Sequence, residues 1–323
     1  MSAAPEIPIT LAICSNRPER FAAVIARISP LLGSQDFLLI IADTRADQIP
    51  EKVIHTATFE SRARLLCNGQ NLGLAHSRNK ALKETTTRHL IFLDDDIRPT
   101  AQALQGLRGA LAAGAGIVGT RIDADLQGRP VPWFLTPGQL HYLGSHDPAQ
   151  PASIWGGSFG IDVEQALMLG ISFDENLGRV GDDLASAEDT TFVRALTAQG
   201  VRGQILHHVH ARHLIDPSRL TLAYLLRRAF WQGRSEVRRH DTRHGISKEW
   251  HRNRSGGRLA LAVLYMASVL SGACWEAVAR YGRGRAGLSG RASARWTRLH
   301  LDAVRYLTDE EEVSADAFQR NDR

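Results

Sequence analysis

The chain has little cysteine. Its 323 residues hold three, Cys14, Cys67 and Cys274. An odd number of distant thiols excludes a disulfide framework and a thiolate metal site. All three read as small buried apolar residues. Residues 1–6 lack a basic region ahead of an apolar one, so no secretory signal is read there. The expected location is the cytoplasm, including a peripheral position on the inner face of the membrane. No internal repeat is present. Nor does any run reach the roughly 20 apolar residues that a membrane span needs. The longest uncharged stretch, 259–275, has Ser268, Ser271 and Gly272 diluting it. Three readings of that stretch stay open: a core helix, an interfacial helix on lipid, and a span.

What is present is ordinary for a soluble globular protein: 43% apolar residues, 23% charged, and a net charge of +5. Charge is placed unevenly. Between 227 and 258 ten basic residues, from Arg227 to Arg258, face only Glu236, Asp241 and Glu249. That stretch is a cationic patch.

The first half alternates strand-like runs (7–13, 37–43, 63–67, 89–93, 116–121) with helix-like ones (18–32, 72–84, 100–113), the pattern of a mostly parallel α/β sheet with flanking helices. A long loop is expected over 123–151, rich in Pro, Gly and His. A strand over 153–161, helices over 162–169 and 187–199, and a strand over 201–208 follow. Past residue 216 basic helices replace strands, and the last residues, 309–323, read as a polar tail. The expected domains are therefore a catalytic domain over 1–215, with halves at about 1–122 and 123–215, and a basic helical C-terminal region over 216–323.

The run His89-Leu90-Ile91-Phe92-Leu93 delivers Asp94, Asp95 and Asp96 to the end of a buried strand. Three adjacent carboxylates repel one another, and oxygen ligands of this kind suit Mg2+ or Mn2+. The alternative is a solvated acidic turn capping the next helix. In open α/β sheets ligands lie beyond the carboxyl ends of the strands. Ser15, Asn16, Arg17, Asp43 and Asn71 fall at those ends beside the aspartates. Arg78, on the opening turns of a helix, holds a phosphate or stacks on a base, or else is a surface Arg. Glu188-Asp189 opens another helix, either as dipole partners or as a general base for an attacking hydroxyl. Among His207, His208, His210 and His213, one can complete a metal site or all are structural.

Taken in order, Cys14-Ser15-Asn16-Arg17-Pro18, Asp43, Asn71-x-Gly73 with Ala75-x-x-Arg78-Asn79, Phe92-Leu93-Asp94-Asp95-Asp96, Gly156-Gly157, Phe173-Asp174-Glu175-x-Leu177-Gly178 and Glu188-Asp189 resemble the family-2 glycosyltransferases of the GT-A fold, over roughly residues 7–235. The resemblance implies inverting transfer from a nucleotide-diphosphate sugar to a hydroxyl of a glycan or lipid-linked acceptor. It implies a divalent metal, Mn2+ or Mg2+, held through Asp94, Asp96 and His213. Donor contacts are implied for Ser15, Asn16, Arg17, Asp43, Asn71, Arg78, Asp94, Asp95, Gly156 and Gly157, the glycines letting backbone approach the sugar. Asp189, paired with Glu188, is implied as the base. Asp95 is the aspartate expected to tolerate replacement best. Two alternatives remain. A sugar-nucleotide nucleotidyltransferase would show a Gly-rich phosphate loop after the first strand, where this chain has Ser15-Asn16-Arg17-Pro18. A nucleic-acid or membrane-surface binding protein using the basic region would leave the acidic motifs unexplained. No nucleic-acid partner is expected, whereas contact with an anionic membrane is compatible with the basic region.

Overall fold

The computed structural model describes residues 7–53, 62–148, 150, 152–254 and 258–284. The expected polar tail over 309–323 lies outside them. The chain forms two compact units, one of residues 1–129 and 144–215, the other of 130–143 and 216–323.

The first unit is built on an eight-stranded sheet: β1 (Ile9–Ser15), β2 (Phe37–Ala42), β3 (Ala63–Cys67), β4 (His89–Leu93), β5 (Ile97–Arg98), β6 (Ile117–Asp125), β7 (Ser158–Asp162) and β8 (Gly203–Leu214). Their order is β3-β2-β1-β4-β7-β6-β8-β5. The β3-β2-β1-β4 half is parallel, β7 runs antiparallel to both β4 and β6, and β6 is parallel to β8. The helices are α1 (Phe21–Ile28), α2 (Leu74–Glu84), α3 (Ala101–Ala112), α4 (Val163–Met168) and α5 (Glu188–Ala198). They cover both faces, as a sheet with buried parallel strands requires.

Side-chain alternation divides the core in two. Ile9, Leu11 and Ile13 of β1 and Ile91 and Leu93 of β4 pack with α1 and α3. Ala12, Cys14, Leu90 and Phe92 point the other way, toward α2, α4 and α5.

Three boundaries differ from expectation. The region 18–32 is an α-helix only at its centre, with 3-10 turns at Pro18–Arg20 and Ser29–Leu31, since Pro18 and Pro30 have no N–H to give an α ladder. The strand expected from 153 begins at Ser158, because Gly156 and Gly157 carry no side chains to pack on a pleat. β8 runs on to Leu214 through an irregularity: Thr120 faces Leu206 while Arg121 faces His210. That irregularity turns His207 and His208 both outward and sets Val209, Ala211 and His213 inward. Within the expected loop over 123–151, β6 persists to Asp125 and Pro137–Leu143 forms a 3-10 helix.

The second unit holds α6 (Leu222–Arg238), α7 (Thr242–Arg254) and α8 (Leu259–Gly284), together with residues 130–143, which sequence alone placed in the 123–215 half of the expected catalytic domain. The segment 259–275 lies wholly within α8. Over Leu259–Arg280 this helix is long and apolar enough to cross a membrane, and half of that window is buried inside the protein. Its buried face packs on α6 at backbone distance. Gly233 lies against the Val269 carbonyl and Gly272 against the Phe230 carbonyl, where a Cβ would overlap backbone. Arg234 is clamped between the rings of Trp231 and Trp275, with Cζ 3.8 Å from each centroid, and pairs with buried Glu276 at 3.0 Å. Cysteine burial is uneven: Cys14 is buried, Cys67 half-buried and Cys274, on the outer face of α8, exposed.

Candidate active site

The three aspartates at the end of β4 do not share one environment. The antiparallel ladder continues one residue past the strand, Asp94 N–H donating to the Gly157 carbonyl at 3.1 Å, so Asp94 stays in the alternation and faces α2. A turn closed by Ile97 N–H on the Asp94 carbonyl then carries Asp95 and Asp96 toward the start of α1.

On the α2 side the organising group is Arg78. It is 1% exposed. Its guanidinium donates to Glu188 Oε1 at 2.9 Å, to Asp94 Oδ1 at 3.1 Å and to the Gly156 carbonyl at 2.9 Å. Beneath it lie Phe92, Phe159 and Phe173, with ring centroids 5.7–5.9 Å from Cζ. Gly156 is glycine for this reason: a Cβ there would sit 2.6 Å from Arg78 Nη2. Gly178, at φ +82°, leaves the same kind of room for Glu188, whose carboxylate a Cβ would meet at 3.2 Å. Asn79, next to Arg78, uses its side-chain amide on the backbone N–H and carbonyl of Phe173 and on Glu175. The Ala75-x-x-Arg78-Asn79 and Phe173-Asp174-Glu175 motifs are thus two halves of one joint.

Asp189 lies on the other side of the same glycine. Its Oδ2 accepts the Gly156 N–H at 2.6 Å and its Oδ1 accepts the Thr190 N–H at 2.6 Å. The Gly156 peptide is therefore held at its carbonyl by Arg78 and at its N–H by Asp189. Ala187 precedes the pair at φ +82°, a left-handed residue that turns the chain into α5. Glu188, enclosed beside Asp189, has its carboxyl pushed up to about 7 by burial first and by its neighbour's charge second, against the pull of Arg78.

On the α1 side, Asp95 is 4% exposed and receives the Ser15 hydroxyl, with Arg17 at 2.7 Å and Arg20 at 3.5 Å. Burial and the adjacent Asp96 push its carboxyl upward, and Arg17 opposes them. Against the expectation that Asp95 tolerates replacement best stand its low exposure and its contacts with Ser15 and Arg17. Arg17 also reaches Asp96 at 3.3 Å. Arg20 escaped the sequence reading. Its signal was its spacing of three from Arg17 on a one-turn 3-10 helix, where positions three apart eclipse.

Asp96 meets His213. The Leu214 N–H donates to the Asp96 carbonyl at 2.8 Å, docking the end of β8 here, and His213 Nε2 lies 3.2 Å from Asp96 Oδ1. The other ring nitrogen, Nδ1, is buried with no hydrogen-bond partner among the described residues, on the side where a Cβ at Gly144 would press against the ring. His210 instead pairs with Asp123 at the surface, at 2.7 Å.

Asp43 is buried and turned to the fold. It accepts N–H groups from Leu72 and Gly73 and the Asn68 amide, each at 2.8 Å, and so shapes the 68–73 turn. Gly73 in that turn, at φ +101°, would drive a Cβ into Val180. Asn16 and Asn71 are exposed at the strand ends. Gly157 packs on Ile97 and Ile122.

Known proteins share parts of this chain's sequence and fold. Residues 12–159 match the family described as Glycosyl transferase family 2. A mannosyltransferase from Pyrobaculum calidifontis, solved in complex with GDP-Man and Mn2+, is similar over 93% of this chain and 83% of its own at 17% identity, with a TM-score of 0.54. That likeness is one of fold. TarS 1-349 of S. aureus is similar over 77% of this chain and 72% of its own, at 14% identity and a TM-score of 0.49. A search of curated protein sequences finds no match.

Proposed function

With residues 12–159 matching glycosyl transferase family 2, we propose that this chain moves a sugar from a nucleotide-diphosphate donor to an acceptor hydroxyl, with inversion at the anomeric carbon. The observation that carries the reading is the Gly156 peptide held between Arg78 and Asp189. It sets Asp94, on the strand that ends in the aspartates, and the Glu188-Asp189 pair on one rigid frame. Support also comes from the fold shared with a mannosyltransferase that binds GDP-Man and Mn2+.

In this reading Asp189 takes the proton from the acceptor hydroxyl as that oxygen attacks the donor. Each oxygen of its carboxylate already accepts at least one backbone N–H, which fixes the group without using all its lone pairs. Arg78 acts from behind, fixing Asp94, Glu188 and the Gly156 carbonyl, and burial leaves it no face for a base. Arg17 and Arg20 hold Asp95 and Asp96 in place.

Whether a divalent metal fits is decided by Asp96 and His213. Among the described residues no group of three His, Cys, Asp or Glu side chains could hold an ion. Asp96 Oδ1 and His213 Nε2 nevertheless converge to 3.2 Å, a carboxylate and an imidazole suited to Mn2+. Two protein donors suffice where a donor's diphosphate oxygens complete the shell, as is usual for phosphate-bound Mg2+. Asp96 and His213 would hold the metal, which when bound neutralises charge on the leaving diphosphate. Asp94, turned to Arg78, contributes field rather than a ligand.

The test is turnover of a matched donor and acceptor. Asp189→Asn is expected to lower transfer by about 10²–10⁴-fold with donor binding kept, and Asp96→Asn to weaken donor binding itself. Full transfer by both variants would overturn the proposal.

A further inference from the structure

We infer that the second unit docks on the surface of an anionic phospholipid bilayer through the outer faces of α7 and α8, an inference independent of the transfer reaction. Along α8 one exposed row recurs at helical spacing, Leu259, Val263, Ala267, Leu270, Cys274 and Val278, with Ala260, Ser271 and Ala277 exposed beside it. The large ones are about half exposed or more, Leu259 at 62%, Val263 at 53%, Leu270 at 46% and Val278 at 62%. No charged side chain interrupts this stripe over about 28 Å, at 1.5 Å per residue. The opposite face of the helix is spent on α6, with Glu276 paired to Arg234 and Arg238. A soluble surface rarely leaves so long an apolar strip uncovered.

Trp133, 55% exposed, lies beside the start of this stripe: its carbonyl accepts from Arg258, and the Phe134 carbonyl accepts from Tyr265 at 3.2 Å. Val131, 65% exposed, extends the apolar surface. Tryptophan with a polar edge suits the interfacial layer of a bilayer.

Charge decides the occupant. The exposed side of α7 carries Arg243, His244, Lys248, His251 and Arg254, all within about two fifths of its circumference, and Arg258 follows. Over the described residues of 130–143 and 216–284 no Asp or Glu is exposed. Glu236, Glu249 and Glu276 are buried, and Asp216 and Asp241 are half-buried. An apolar strip next to a face of one charge sign matches lipid tails beneath anionic headgroups. A second copy would instead press two cationic faces together.

The test uses the full chain in flotation with phosphatidylcholine vesicles, with and without 30% phosphatidylglycerol. Binding is expected only with the anionic lipid and should weaken as salt rises. Each basic residue near such a surface contributes about fivefold, so Arg243→Glu, Lys248→Glu and Arg254→Glu together should lower partitioning by about 100-fold or more. Val263→Asp with Leu270→Asp should abolish it. Both sets replace exposed side chains, and an unchanged melting curve verifies the fold. No binding by the native chain, or binding that survives both variants, overturns the inference. So does a concentration-dependent dimer in sedimentation that Val263→Asp dissolves without any lipid binding.

Discussion

Replacing Arg78 with methionine removes one cation from between two carboxylates and a carbonyl. Methionine keeps most of the side-chain volume and the contact with Phe92, Phe159 and Phe173, so the loss is mainly electrostatic. Removing one partner of a buried ion pair costs about 3–5 kcal/mol, because the other charge is left uncompensated. At ~2–4 °C per kcal/mol for a domain of this size, the melting temperature should fall by about 10 °C. The loss should depend on pH. At pH 8 the native Glu188 is ionised and draws on the guanidinium, and without Arg78 it must stay stranded or take up a proton, whereas at pH 5, below its native value of about 7, it already holds its proton and needs the guanidinium less. Circular-dichroism melts at both pH values read this directly, with a smaller drop expected at pH 5. Adding Glu188→Gln should recover part of the loss, a coupling that a double-mutant cycle isolates. A fall below about 3 °C, or the same fall at both pH values, would refute the view that Arg78 holds the site from within.

Glu188 carries its own pH signature. Its folded carboxyl titrates at about 7 against 4.5 for the free group, so between those values the folded state binds the extra proton and stability declines as pH rises, by at most about 3 kcal/mol. Urea midpoints at pH 5, 6, 7 and 8 should show that decline, and Glu188→Gln should flatten it; an unchanged slope contradicts the assignment. In the second unit, Gly272→Val should destabilise the α6–α8 crossing by several kcal/mol, since a side chain there meets the Phe230 backbone. Loss of helical signal in a lower-temperature transition measures it, and a wild-type melt would count against the packing described.

Much of the first unit was legible because its signals are local and agree with one another. Short apolar runs in β1 and β4 and helical spacing in α2 and α3 name the elements. The order of motifs from Ser15 to Asp189 named side chains that the fold brings together. Roles were harder to read, because they depend on contacts across long sequence separations. That Arg78 faces Glu188, 110 residues away, is invisible in a local pattern, and so the side chain read as a ligand contact rather than an internal strut. Asp43 has a structural role of the same kind, its carboxylate accepting from the 68–73 turn. Asp95 looked like the spare member of a triplet until the turn at Asp94–Ile97 placed it against Ser15 and Arg17. The irregularity in β8 leaves no mark in a strand of such mixed composition, yet it decides which histidine reaches Asp96.

The most direct test of the central claim is a thermal-shift panel of UDP-, GDP- and TDP-sugars on the native chain, with and without Mn2+. A donor at 100 times its Kd stabilises the folded state by about 2.7 kcal/mol, a rise of ~5–10 °C here. The account predicts one base class that gives this rise with Mn2+, and its loss in Asp96→Asn. A flat response across the whole panel, or a rise that Asp96→Asn leaves intact, would contradict it.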